Sequence, residues 1–268
     1  MPDFTRLDDI RARRPLIHCV SNIVSANDCA NVVLAAGASP IMACAAEEMA
    51  DIAAASDAAV LNTGTPDEAR FRTCLLRGRE AARRNQPAVL DPVGVGASPW
   101  RLERVGTLLD SFPVSILRVN LGEAQALLRT ASGERGVDSP APASLEERSA
   151  AALALARRYR TAVLLSGPED LVAGGGRLWR ISGGSGQMVS VTGTGCMLSA
   201  LCGVFAAVEP EPMAAALLAS AFWKTCARRA EERFGGRGPG SFRTALLDAA
   251  GTLTAAELAA EAKIKAMP

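Results

Sequence analysis

Three short stretches set reactive or charged side chains beside glycines. In Val191-Thr192-Gly193-Thr194-Gly195-Cys196, two glycines alternate with threonines just ahead of an apolar run, Met197–Val208. Glycines there let backbone N–H groups converge at a helix start, whose partial positive charge favours an anion. A cysteine in such a place is favoured as its thiolate, which makes Cys196 a candidate reactive group. A tight strand-to-helix turn with a buried cysteine accounts for the same letters equally well. The second stretch, Leu90-Asp91-Pro92-Val93-Gly94-Val95-Gly96, closes an apolar run on an acid. The third, Arg118-Val119-Asn120-Leu121-Gly122-Glu123, puts an arginine, an amide and an acid at the end of another. Asp91 and Glu123 brought together can hold hydrated Mg²⁺, and Arg118 can neutralise phosphate oxygens bidentately. Singly, each reads first as a helix cap or surface ion pair. Three of them at separate strand ends, where open α/β sheets bind ligands, point to chemistry on a small anionic group.

The elements that must position these residues follow from the apolar pattern. Short apolar runs bounded by Gly, Pro, Asn or Asp recur at Pro15–Ser21, Ser39–Ala43, Ala58–Thr63, Ala88–Val93, Ser115–Asn120, Ala162–Ser166 and Met188–Val191, and read as buried strands. Helical patterns lie between them at Ala26–Ala36, closed by Gly37, and at Glu68–Arg84, Leu121–Arg129 and Leu145–Tyr159. This βαβ alternation predicts an α/β fold with a mostly parallel central sheet and helices on both faces. The glycines at 174–176 and 183–184 predict hairpin turns, hence an antiparallel edge. The last third, Cys196 to Ala262, predicts packed helices. Ala131–Ser144, rich in Gly, Ser and Pro, reads as a surface excursion within one domain spanning 1–268.

Composition removes several functions. The 268 residues are 49% hydrophobic, enough for a large core, and 29 basic against 28 acidic residues leave a formal charge of +1. So small a field does not gather nucleic acid or anionic lipid, and 7 Phe, 3 Trp and 1 Tyr are few for stacking bases. The charge-free run Ile181–Val208 is too rich in Gly, Ser and Thr to be a membrane span. Seven cysteines without a C-x-x-C pair predict buried thiols in a reducing compartment, and the N-terminus has no signal-peptide pattern, so the cytoplasm is expected. No P-loop motif occurs. The single histidine, His18, lies in the apolar run Leu16–Val20 and reads first as a satisfied core residue; a cysteine hydrolase would have to pair it with Cys196.

Taken in order along the chain, the motifs resemble those of the hydroxyethylthiazole kinases, thiamine-pathway members of the ribokinase-fold small-molecule kinases. The resemblance rests on Ile17–Asn22 with Asn27 and Ala30-Asn31, Gly37–Ala43, Asn62–Thr65, Asp91–Gly96, Arg118–Glu123, Gly136–Ser139, Thr192–Cys196 and Gly238–Phe242, and covers nearly the whole chain. Val20-Ser21-Asn22 stands where that family usually has Ile-Thr-Asn, and Ser166 where it often has threonine; the amide and the hydroxyl are kept. The resemblance implies a three-layer ribokinase-like fold, transfer of the γ-phosphoryl group of ATP to the hydroxyl of 4-methyl-5-(2-hydroxyethyl)thiazole, Mg²⁺ as cofactor, and a homotrimer with active sites between subunits. It implies that Cys196 is the catalytic residue beside the acceptor hydroxyl. Asn22, Met42, Gly64 and Gly193 would line the thiazole pocket. Arg118, Ser166, Thr192, Thr194 and Gly195 would contact the nucleotide, and Asp91, Asn120 and Glu123 would organise the metal. The alternatives are a kinase of the same fold for another small alcohol, such as hydroxymethylpyrimidine, and a non-catalytic thiazole or nucleotide sensor.

Overall fold

The computed structural model describes residues 2–132, 143–234 and 236–268. The motif Gly136–Ser139 and most of the expected excursion at 131–144 fall outside them.

Strands β1 (Leu16–Val20), β2 (Ser39–Ile41), β3 (Ala58–Asn62), β4 (Ala88–Asp91), β5 (Ile116–Val119), β6 (Ala162–Leu165), β7 (Asp170–Gly174), β8 (Arg177–Ser182) and β9 (Lys263–Met267) form one sheet in the order β2-β1-β3-β4-β5-β6-β7-β8-β9. The first six are mutually parallel and the pairs from β6 to β9 are antiparallel, so the expected antiparallel edge is present. Helices α1 (Arg6–Arg13), α2 (Ala26–Ala36), α3 (Met49–Ala55), α4 (Glu68–Arg83), α5 (Pro99–Ser111), α6 (Leu121–Ser132), α7 (Leu145–Tyr159), α8 (Thr194–Ala206), α9 (Pro212–Phe234), α10 (Pro239–Thr252) and α11 (Ala255–Glu261) are the α-helices among the described residues.

Both sheet faces are covered, and side chains along each parallel strand divide between them with period two. Ile17, Ala58, Val60, Val89, Ile116 and Leu164 enter one core with α1, α2 and α8–α11. Val20, Ala59, Leu61, Leu90, Leu117 and Val163 enter the other with α4–α7. Burial on two faces is why these strands read as continuous apolar runs rather than alternating ones.

One expected strand is absent. Met188–Val191 does not join the sheet: Gly186–Ser190 forms a short 3-10 helix, and Val189 is 92% exposed. Gly183 and Gly184, both at positive φ, carry the chain out of β8 instead of turning it back; the hairpin is made by Gly174–Gly176 alone.

Candidate active site

In the order β2-β1-β3-β4 the chain leaves β1 and β3 toward opposite edges of the sheet, which opens a crevice beyond the carboxyl ends of those two strands. An asparagine stands at each of those ends. Asn22 Nδ2 donates to Asn62 Oδ1 at 3.1 Å and to Cys196 Sγ at 3.2 Å. Asn22 Oδ1 accepts from the backbone N–H groups of Val24 and Ser25, so both halves of the amide are satisfied by protein groups. Its structural work is to hold the Cys196 sulfur and the turn into α2. Asn62 Oδ1 also accepts from Gly64 N at 2.9 Å, and its Nδ2 donates to Asp91 Oδ2 at 3.1 Å. Gly64 has no room for a side chain: a β-carbon would come within 2.9 Å of Asn22 Nδ2.

Asp91, wholly buried at the end of β4, also accepts from Ser199 Oγ of α8 at 2.6 Å and from Arg118 Nη1 at 3.4 Å. Burial raises its pKa to about 6, against the pull of the Arg118 charge, while the nearby negative charge of Glu123 adds to the rise. Arg118, on β5, donates from Nη2 to Ser166 Oγ at 2.7 Å, beyond the end of β6. Its Nε is buried without a hydrogen-bond partner among the described residues. Burial opposes its charge, yet Asp91 and Glu123 hold its pKa above the usual arginine value. Glu123 and Asn120 cap α6 reciprocally: Glu123 Oε2 accepts from Asn120 N and Asn120 Oδ1 from Glu123 N, each at 2.9 Å, while Glu123 Oε1 accepts from Gly94 N at 3.0 Å. The cap reading is therefore correct for this pair, and the charge of Glu123 acts on both Asp91 and Arg118.

The glycine-rich turn starts α8 as expected. Gly193 is its N-cap with φ of +83°, a left-handed conformation that L side chains avoid, and a β-carbon there would meet Ser25 at 2.8 Å. A β-carbon on Gly195 would come within 2.5 Å of Arg118 Nη2, so the guanidinium lies directly against the first turn. Cys196 is half-buried on that turn. Thr194 Oγ1 donates to Met188 O at 3.3 Å, and Thr192 is exposed. Met42 follows β2, is half-buried, and packs on the core that also takes Cys196.

A cleft of about 510 Å³ opens beside this turn. Arg118, Asn120, Ser166, Thr194 and Gly195 all line it, together with Leu198 and Trp223, an apolar wall with converging polar groups as in small-molecule sites. Sequence reasoning gave no role to Asn62, Ser199, Trp223 or Lys224. The signals were an amide ending an apolar strand, as at Asn22, and a lysine alone in the apolar helix segment Ala221-Phe222-Trp223-Lys224-Thr225-Cys226.

His18 takes no part. Its Nε2 pairs with Ala43 O at 2.9 Å and its Nδ1 accepts from Arg77 Nε at 3.0 Å, so both ring nitrogens are occupied. Burial lowers its pKa to about 4, with the Arg77 charge adding to the effect, and the ring is neutral. This removes the cysteine–histidine hydrolase reading. All seven cysteines are free thiols; five are buried, Cys196 is half-buried and Cys44 is exposed.

The profile of the hydroxyethylthiazole kinase family matches residues 7–256. A hydroxyethylthiazole kinase of Desulforudis audaxviator is 41% identical over 256 residues, which are 96% of this chain and 92% of that protein. Among solved structures, a hydroxyethylthiazole kinase protein from Pyrococcus horikoshii superposes with a TM-score of 0.90 at 35% identity, over 99% of this chain and 98% of that one. A ribokinase-like superfamily protein from Enterococcus faecalis, 13% identical, covers 88% of this chain and 86% of its own with a TM-score of 0.57, which places the fold as ribokinase-like.

Proposed function

This chain belongs to the hydroxyethylthiazole kinase family, and we propose that it transfers the γ-phosphoryl group of ATP to the primary hydroxyl of 4-methyl-5-(2-hydroxyethyl)thiazole in the thiamine pathway. The observation that carries this reading is the position of Arg118: a buried guanidinium with an unpartnered Nε, pressed against the glycine start of α8 one residue from Cys196. A phosphoryl group seated there meets a full positive charge and the N–H groups of a helix start together. For a loose transition state, positioning and charge stabilisation of that kind do most of the catalytic work.

The parts divide around Cys196. Arg118, Ser166, Thr192, Thr194 and Gly195 face the nucleotide. Asn22, Met42, Gly64 and Gly193 border the thiazole, with Met42 giving soft contact to the sulfur heterocycle. Cys196 takes the proton of the attacking hydroxyl, its sulfur held by Asn22 Nδ2. Among the described residues no group of three or more His, Cys, Asp or Glu is arranged to hold a metal. Hydrated Mg²⁺ needs only one or two carboxylates beside substrate phosphates and water; Asp91 and Glu123, with Asn120, would hold it, since the hydrogen bonds they accept within the protein leave oxygen lone pairs over. When bound, it neutralises phosphate oxygens. We also propose a cytoplasmic, single-domain kinase acting as a homotrimer; the large exposed side chains Ile23 (78%) and Val24 (61%), beside Asn22, support an interface at the site.

The test is ADP release from ATP and Mg²⁺ with hydroxyethylthiazole, hydroxymethylpyrimidine and a sugar as acceptors. Release dependent on the thiazole is expected. Release with the pyrimidine alone, or a thiazole-induced rise in Tm without any ADP, overturns the assignment in favour of another acceptor or a sensor.

A further inference from the structure

Lys224 lines the same cleft as Arg118, yet its ammonium group is spent inside the protein. It projects from α9, is 7% exposed, and donates from Nζ to Gly167 O at 2.7 Å and to Pro168 O at 2.9 Å. Asp170 Oδ1 lies 3.2 Å from the same nitrogen. Two of the three N–H donors of the ammonium therefore go to backbone carbonyls, and the aspartate balances its charge. Asp170 is equally engaged: Oδ1 accepts from Gly167 N at 3.0 Å and Oδ2 from Ser220 Oγ at 2.9 Å. The turn after β6 is thereby fastened to α9 through both carbonyls and through the aspartate. The lysine stem is confined from the other side, where a β-carbon on Gly184 would come within 2.9 Å of Lys224 Cδ.

We propose that Lys224 is a positioning residue for the nucleotide side of the site, fixing the Ser166–Pro168 turn that in turn fixes Arg118. The link is the 2.7 Å hydrogen bond from Arg118 Nη2 to Ser166 Oγ, the first residue of that turn. Without the ammonium group, two carbonyl oxygens lose their donors at the wall of the cleft, and the guanidinium loses a fixed partner. A buried ion pair alone is weak evidence even for stability. Here the same cation also sets the course of a loop whose residues face the cleft, and the two roles separate experimentally. The proposal rests on the kinase reading given above.

Binding of ATP to the wild-type protein is measured first by calorimetry. It is then repeated, with steady-state kinetics and thermal melts, on Lys224→Met and on Lys224→Met combined with Asp170→Asn. Lys224→Met is expected to lower Tm and to weaken ATP binding about tenfold, with KM for ATP rising alike while kcat and KM for the alcohol stay within about twofold. The double variant, which no longer buries an uncompensated carboxylate, is expected to recover Tm but not ATP affinity. Recovery of both overturns the proposal, because the lysine then only balances Asp170. ATP binding unchanged in Lys224→Met overturns it as well, while leaving the kinase reading intact. A wild-type protein that binds no ATP overturns the kinase reading and this proposal with it.

Discussion

The sulfur of Cys196 is held by an amide donor at 3.2 Å and sits on the first turn of a helix, so deleting it and replacing it ask different questions. If it accepts the hydroxyl proton, Cys196→Ala lowers kcat by about 10² or more, the usual scale of general-base catalysis, with KM for ATP little changed. Cys196→Asp, which restores an acceptor, regains part of the loss. A Cys196→Ala enzyme with wild-type kcat reduces the cysteine to pocket wall. Asn62 makes a separate prediction, since its amide joins Asn22, Gly64 and Asp91. Asn62→Ala leaves buried Asp91 without one donor and Asn22 without its acceptor, a loss of about 1–3 kcal/mol of stability. Because Asn22 then no longer aims at the sulfur, kcat falls too. Chemical unfolding and kinetics on one preparation check both, and a loss of stability without loss of kcat refutes the link to Cys196.

At the scale of elements, the start of α8 is the part the site depends on most. A methyl group on Gly195 collides with Arg118 Nη2, whereas the helix itself accepts alanine readily. Gly195→Ala is therefore expected to keep Tm within a few degrees and to raise KM for ATP about tenfold or more by displacing the guanidinium; an unchanged KM would show that Arg118 does not face the nucleotide. That turn was legible in the sequence because glycines, a preceding apolar strand and a following apolar helix all stand in it. So were α2 and α7, whose bounds match the sequence reading, since α2 ends on Gly37 at φ of +101° and α7 opens on a Ser144–Glu147 capping box. Met188–Val191 misled because its valines carry strand propensity while the glycines ahead of it decide the path. The edge strand Lys263–Met267 gave no apolar run, because the two lysines that protect an open edge also hide it. The acceptors of Asn22 Nδ2 and Lys224 Nζ were not legible at all: they come from segments 40 or more residues distant, brought together by the fold.

Across the whole molecule, one constraint on the working pH range lies away from the cleft, around His18. The ring is buried on β1 between Ala43 O and Arg77, and Arg77 is itself buried with neutral partners only, His18 Nδ1, Ser56 Oγ and Gln86 Oε1. Burial brings the Arg77 pKa down to about 10, so the guanidinium is still charged at neutral pH and a second charge on His18 has no place. His18 stays neutral down to about pH 4 in the folded protein but protonates near 6.5 once unfolded. Its contribution to stability is complete above pH 6.5 and is lost as the pH falls toward 4, by up to about 3 kcal/mol. Asp91 works in the opposite sense over an overlapping range, since its folded pKa of about 6 lies above the unfolded value and its burial costs less as it protonates. The wild-type curve alone therefore mixes the two. His18→Gln separates them, because glutamine can donate to Ala43 O and accept from Arg77 without titrating. Urea unfolding at pH 7 and pH 4.5 is expected to show the variant losing about 2–3 kcal/mol less than the wild type over that interval. Equal losses in the two proteins would mean that acid enters this fold somewhere other than at its single histidine.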